Sequence, residues 1–150
     1  MATPLLRDNI GSVFTVTAGN SVTSGNYSVS GDKLAIDNTT NLALFGDFEL
    51  VLGSAFGAAP TAGQLQLVAV DYDLGGTNAG PTPSGTAPLP RFCGNFSPIP
   101  VTGNTSTSWK MRLNSVPLAA KTDYYVYNNG TGQTLATSWV LKAQCWSPGT

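Results

Sequence analysis

Turn-forming residues constrain this chain more than anything else in it. Every apolar run is cut by Gly, Pro, Asn or Asp before a helix could develop, as at Gly19-Asn20, Gly25-Asn26, Gly31-Asp32, Asp37-Asn38, Gly53, Gly75-Gly76 and Asn129-Gly130. Between the cuts, polar and apolar residues alternate, which is the period of a strand with one buried face. Only Leu42 to Phe56 has room for a helical turn. The pattern predicts an all-β chain: a single-domain antiparallel β-sandwich of about eight strands, a jelly roll or a related Greek key.

The C-terminal stretch carries the strongest strand signals. Thr122 to Tyr127 and Trp139 to Trp146 are dense in β-branched and aromatic side chains, which suit a pleated, half-buried surface. The two segments predict a hairpin. It turns either tightly at Asn129-Gly130, where both residues tolerate positive φ, or widely through Thr131 to Ser138. The wide form is favoured. Trp139, Leu141, Ala143 and Cys145 then share one face, and Val140, Lys142, Gln144 and Trp146 share the other.

Upstream, residues 1–9 contain Pro4 and no period, so they read as an extended arm before a sandwich spanning 10–146 and a short tail at 147–150. Ser12 to Thr17 alternates as a strand. Asn26 to Ser30 and Asp32 to Asp37, split by Gly31, read as a short hairpin before the turn cluster at Asp37 to Asn41. Asp47 to Leu52 sets Phe48, Leu50 and Leu52 on one face. Gln64 to Tyr72 sets Leu65, Leu67 and Ala69 against Gln66, Val68 and Val70. Leu74 to Pro90 is a long Gly- and Pro-rich segment, of a length that is usually functional or mobile. Arg91 to Ser97 and Ser108 to Asn114 are strands again, the second with Trp109, Met111 and Leu113 inward and Lys110 and Arg112 outward.

Charged residues make up 10% of the 150, against a usual share of about 25%. Seven basic and eight acidic side chains leave a net charge of −1, so nothing favours binding to nucleic acid or an anionic membrane. No apolar run approaches the roughly 18 residues of a membrane-spanning helix. The N-terminus lacks a basic start followed by an apolar stretch, so it does not read as a secretion signal, and synthesis in a cytoplasm is expected.

The chain contains no histidine, which removes Ser-His-Asp and Cys-His catalysis and the commonest zinc ligand. No phosphate-cradling glycine motif is present. Asp71-Tyr-Asp73-Leu-Gly-Gly-Thr-Asn78 superficially suggests a calcium loop, but it lacks the closing bidentate Glu, and a strand running into a turn explains it as well. Asp47 and Glu49 are better explained by cross-strand Lys or Arg partners than as an acid–base pair. Cys93 and Cys145 read as small buried hydrophobes, and a cytoplasmic origin argues against a disulfide between them. Tyr124, Tyr125, Tyr127, Trp139 and Trp146 would form a sugar-stacking platform if exposed, but alternation sends about half of them inward and core packing is the stronger reading. No enzyme activity, cofactor or metal is expected.

Phe48-Glu-Leu-Val-Leu, Ala59-Pro-Thr-Ala-Gly-Gln-Leu-Gln-Leu, Asp71-Tyr-Asp-Leu-Gly-Gly-Thr-Asn and the closing Tyr125-Val-Tyr-Asn-Asn-Gly-Thr-Gly-Gln-Thr-Leu-Ala together resemble small jelly-roll virion proteins of tailed bacteriophages. The resemblance spans Asp47 to Lys142 and implies a structural role: decorating, or cementing, the capsid exterior. It implies the major capsid protein as partner, a virion location after synthesis in the host cytoplasm, and no catalytic residue. A protein attached to a repeating shell is suited by a closed homo-oligomer, a dimer or trimer. The candidate contacts are Leu5, Leu6 and Arg7 in the arm, and Trp146, placed outward by alternation. The competing reading folds the arm over its own domain and uses Trp146 as a plug at the sandwich end. The alternative function, from a different class, is a carbohydrate-binding module of a phage tail or spike.

Overall fold

The computed structural model describes residues 7–58, 60, 62–84, 90–97 and 109–149. Eight strands run through them: β1 (Arg7–Gly19), β2 (Leu34–Asp37), β3 (Phe45–Val51), β4 (Gln64–Asp71), β5 (Arg91–Asn95), β6 (Lys110–Pro117), β7 (Lys121–Asn129) and β8 (Trp139–Pro148). They form two four-stranded sheets, ordered β1-β8-β3-β6 and β2-β7-β4-β5, with every pairing antiparallel. That interleaving is a jelly roll, so the β-sandwich implied by the turn pattern is the fold. The one helical element among the described residues is a 3-10 turn at Ser30–Asp32.

The core lies where the alternation puts it. From the first sheet, Phe48, Leu50, Met111, Leu141, Ala143 and Cys145 point inward. Leu34, Ile36, Leu65, Leu67, Tyr124 and Val126 meet them from the second. The Phe48 and Tyr124 rings touch across the sandwich, with centroids 4.7 Å apart. Burying each large aliphatic side chain contributes about 1.5–3 kcal/mol, which makes these facing rows the main source of stability. Trp109 and Leu113 are only partly buried and pack at the edge, while Met111 between them is fully enclosed.

Trp139 anchors the β1–β8 seam. Its indole is fully buried and donates from Nε1 to the Asn20 carbonyl at 2.7 Å. The ring lies flat on the Gly19 backbone, where a Cβ would stand 2.1 Å from Cε2. Asp32 fixes the same corner by accepting from the Asn20 backbone N–H and side-chain amide at 2.8 and 3.0 Å.

Three expectations about connectivity are corrected. The two C-terminal segments are not a hairpin, because β7 pairs with β2 and β4 while β8 pairs with β1 and β3 in the opposite sheet. Their link crosses the end of the sandwich, so each becomes an interior strand with partners on both sides. The stretches 26–30 and 32–37 do not pair with each other either. Both run along β7, the first through the Tyr27–Tyr127 bridge and the Ser28 N–H bond to the Val126 carbonyl, the second as β2. Arg7 to Asn9 belong to β1 rather than to an arm, since they pair with Trp146 to Pro148, and the same pairing draws Ser147 and Pro148 into β8.

Part of the long segment after β4 is a strap. Tyr72 bridges Ala79, Gly80 presses on Val70, Thr82 bonds Tyr125, and Pro83 is buried. Val70 and Tyr125 beneath it join Val68 in a second small apolar cluster on the outside of the sheet. At its base, Arg91 grips Asp71 through two bonds of 2.8 and 2.9 Å.

Gly19→Ala is expected to destabilise the protein by at least about 1–3 kcal/mol, because the new methyl overlaps the Trp139 ring. Met111→Ala should cost about 2–5 kcal/mol and Lys110→Ala under about 0.5 kcal/mol. Urea unfolding of the three variants checks this; an unchanged midpoint for Gly19→Ala would contradict the Trp139 packing.

Candidate functional site

The outward face of β1-β8-β3-β6 is built in rows. At one end Asn9, Trp146, Phe45 and Pro117 stand side by side on the four strands. Further along, Thr15, Lys142, Glu49 and Arg112 make a second, charged row. Irregularities in both edge strands shape the space between the rows. β1 shifts register between Ile10 and Phe14, with Gly11 at φ +72°, and β6 departs from β3 near Ser115, at φ +58°. Such bulges bend the edges of a sheet. The result is an open groove of about 450 Å³, with Asp47, Glu49, Lys142 and Gln144 among its lining residues and Val13 and Arg112 toward its sides.

The aromatic end of this face is pre-ordered. Trp146 is half-buried, stacks on Phe45 with centroids 4.9 Å apart, and donates from Nε1 to Asp47 Oδ1 at 2.9 Å. The same oxygen accepts the Ser115 N–H at 2.8 Å. Glu49 takes Arg112 at 2.9 and 3.1 Å, the cross-strand partnership expected of it. Beyond the row, the turn into β3 leaves Leu42 72% exposed and Leu44 56% exposed. Leu42 adopts φ +51°, held by a turn that buried Asn38 closes through bonds to both polar backbone groups of Ala43.

Of the candidate contacts, Trp146 stands outward as alternation requires, although its ring is partly covered by its own neighbours. Arg7 opens β1 opposite Pro148, so the chain enters the sheet beside the aromatic row. Leu5, Leu6 and the Arg7 side chain lie outside the described residues. Phe45 was missed because Gly46 looks like a strand break. Gly46 in fact sits within β3, where a Cβ would come within 3.0 Å of the Phe48 ring.

The other groups singled out are occupied structurally. Asp73 accepts from the Thr77 N–H at 2.9 Å and from the Asn78 amide at 2.8 Å, so the apparent calcium loop is a self-bonded turn. No group of three or more potential metal ligands occurs among the described residues. Cys93 and Cys145 are free thiols on opposite sheets, and burial raises the Cys93 pKa to about 11. Tyr124 and Trp139 are buried in the core, as the core reading expected, while Tyr125 is buried beneath the strap on the outside of the sheet. Comparison with protein-family models, curated proteins and solved structures returned no match.

Titration of the buried groups gives a signed pH dependence. Burial raises the Tyr124, Tyr27, Tyr125 and Cys93 pKa values, and hydrogen bonding to Asp123 raises that of Lys33. Raised groups stabilise the fold fully below their unfolded values, here 9.0 for the thiol, 10.0 for the phenols and 10.5 for the ammonium, and that stability is lost as pH climbs past them. Asp71, lowered first by Arg91, acts oppositely: its contribution is fully present above 3.8 and is lost as pH falls below that through its lowered folded pKa. The melting temperature should therefore be flat over roughly pH 5–8 and fall at both extremes. The Tyr124 phenol lies beside Thr122 and Arg91 without a well-formed hydrogen bond, so Tyr124→Phe should leave neutral stability intact and soften the alkaline fall. An alkaline limb unchanged in that variant would contradict the assignment.

Proposed function

We propose that the protein is a structural virion component that decorates and stabilises the outside of a tailed-phage capsid, with the major capsid protein as its partner. The observation that carries this reading is the apolar row Trp146–Phe45–Pro117, which lies beside the start of β1 on the outer face of a jelly roll. Sandwiches of this topology recur in capsid proteins as well as lectins. The sequence resemblance to small phage virion proteins favours the capsid role.

The physical demands of the role match the surface. With few charged side chains, attachment rests on apolar and neutral hydrogen-bonding contacts rather than long-range steering. Trp146 is held in place before binding, which lowers the entropic cost of ordering it in an interface. Leu42 and Leu44 extend the apolar area, and β1 begins at the same end with Arg7 opposite Pro148. A closed dimer or trimer over a local symmetry axis multiplies weak contacts through avidity. The protein is made in the host cytoplasm and ends on the virion exterior.

The test is co-sedimentation of purified protein with undecorated capsids at low and high salt. The intact chain is expected to bind in fixed ratio to the shell subunit and to resist salt. Trp146→Ala should weaken binding by about thirtyfold, as for an interface hot spot of about 2 kcal/mol, and deletion of residues 1–6 should weaken it further. Trp146→Phe, which preserves the stack, controls for folding. Salt release of the intact protein, or full binding by both variants, would overturn the reading.

A further inference from the structure

The strap covers only part of the outer face of β2-β7-β4-β5. Among the described residues, what remains uncovered is an aromatic slot. Tyr27 and Tyr127 stack at 4.2 Å with their planes 18° apart, forming one wall over β7. Phe92 on β5 forms the other and is 58% exposed. Val68, opposite Phe92, and Gln66, opposite Tyr127, form the floor on β4, Pro90 lies nearby, and the space measures about 260 Å³.

The direction of Phe92 is set by a device in the backbone. β5 shifts register between its pairings with Leu67 and Val68, so Gly94 opposes Leu67 and Phe92 opposes Val68. Cys93 is the extra residue and packs toward the core. Without that shift Phe92 would share the inward side with Phe96, which is fully buried. A bulge that re-aims one large apolar side chain into solvent, opposite an aromatic pair, serves a surface rather than the core.

We propose that this slot binds an uncharged saccharide by stacking. β7 and β5 flank β4, and Tyr127 opposite Gln66 and Phe92 opposite Val68 are staggered by two residues, so the walls stand roughly 12 Å apart. Two carbon–carbon stacking contacts of roughly 3.5–4.0 Å each fill most of that width, leaving room for one flat, puckered ring. The C–H faces of a pyranose suit aromatic walls. Its hydroxyls suit the amides beside the Tyr127 wall, where Gln66 Nε2 donates to Asn95 Oδ1 at 3.0 Å and the pair's remaining amide groups can serve a ligand. None of the six lining residues carries a formal charge, which matches a neutral sugar and disfavours sialic or uronic acids. The slot lies on the sheet opposite Trp146, so it is independent of the capsid contact.

The experiment is a printed array of neutral hexose oligosaccharides beside sialylated and uronate-bearing counterparts, followed by fluorescence titration of the intact protein with the retained sugars. Neutral oligosaccharides should be retained. Phe92→Ala should weaken binding about tenfold while leaving the melting temperature and capsid co-sedimentation unchanged. Gln66→Ala should weaken binding and relax the choice among hydroxyl configurations. Failure to retain any neutral sugar, stronger retention of acidic sugars, or full retention by Phe92→Ala would each overturn the proposal. None of these results bears on capsid attachment.

Discussion

A buried amide holds the two sheets in their relation. Asn128, fully enclosed near the end of β7, donates from Nδ2 to the Val22 carbonyl at 2.9 Å and to the Gln133 carbonyl at 2.8 Å. Its Oδ1 accepts from the Thr131 hydroxyl, itself fully buried, at 2.6 Å. Beside it Val22 and Leu135 exchange backbone bonds of 2.9 Å. This network fixes where the chain leaves one sheet and crosses to the other. In a low-dielectric interior, a satisfied network is strong and a broken one is costly, so the crossing has one geometry. Because β7 and β8 are interior strands, both sheets inherit their registers from it.

Local pattern made the strand faces legible, and nonlocal pairing made their partners illegible. The alternation of Phe48, Leu50 and Leu52, and of Trp139 through Cys145, is inward as read, because side-chain direction is a two-residue property. Pairing is different: only β4 and β5 are both consecutive and bonded, so a reading that joins neighbours into hairpins fails almost everywhere. Bulges hid the rest. The register shift in β5 reverses Phe92, and Gly46 hides Phe45 as the partner of Trp146. The outward stance of Trp146 was readable, but its hydrogen bond to Asp47 was not, since it requires two strands in known register.

The two outer faces of the sandwich differ in chemistry. One carries an aromatic pair beside the start of β1 and a groove crossed by the Glu49–Arg112 pair. The other is partly closed by the strap and leaves a neutral aromatic slot. A protein fixed to a shell by the first face presents the second toward the medium. The jelly roll allows that division because its core is complete without either face. Charge plays a minor part: the Glu49–Arg112 and Asp71–Arg91 pairs are partly exposed, and pairs of that kind contribute little.

The most direct measurement is a symmetry-averaged cryo-electron microscopy reconstruction of capsids saturated with the protein. The account predicts ordered β-sandwich density on the shell exterior, oriented with Trp146, Phe45 and Leu44 against the capsid and Phe92 facing the medium. Absence of symmetric density, or density seated through the β2-β7-β4-β5 face, would contradict it.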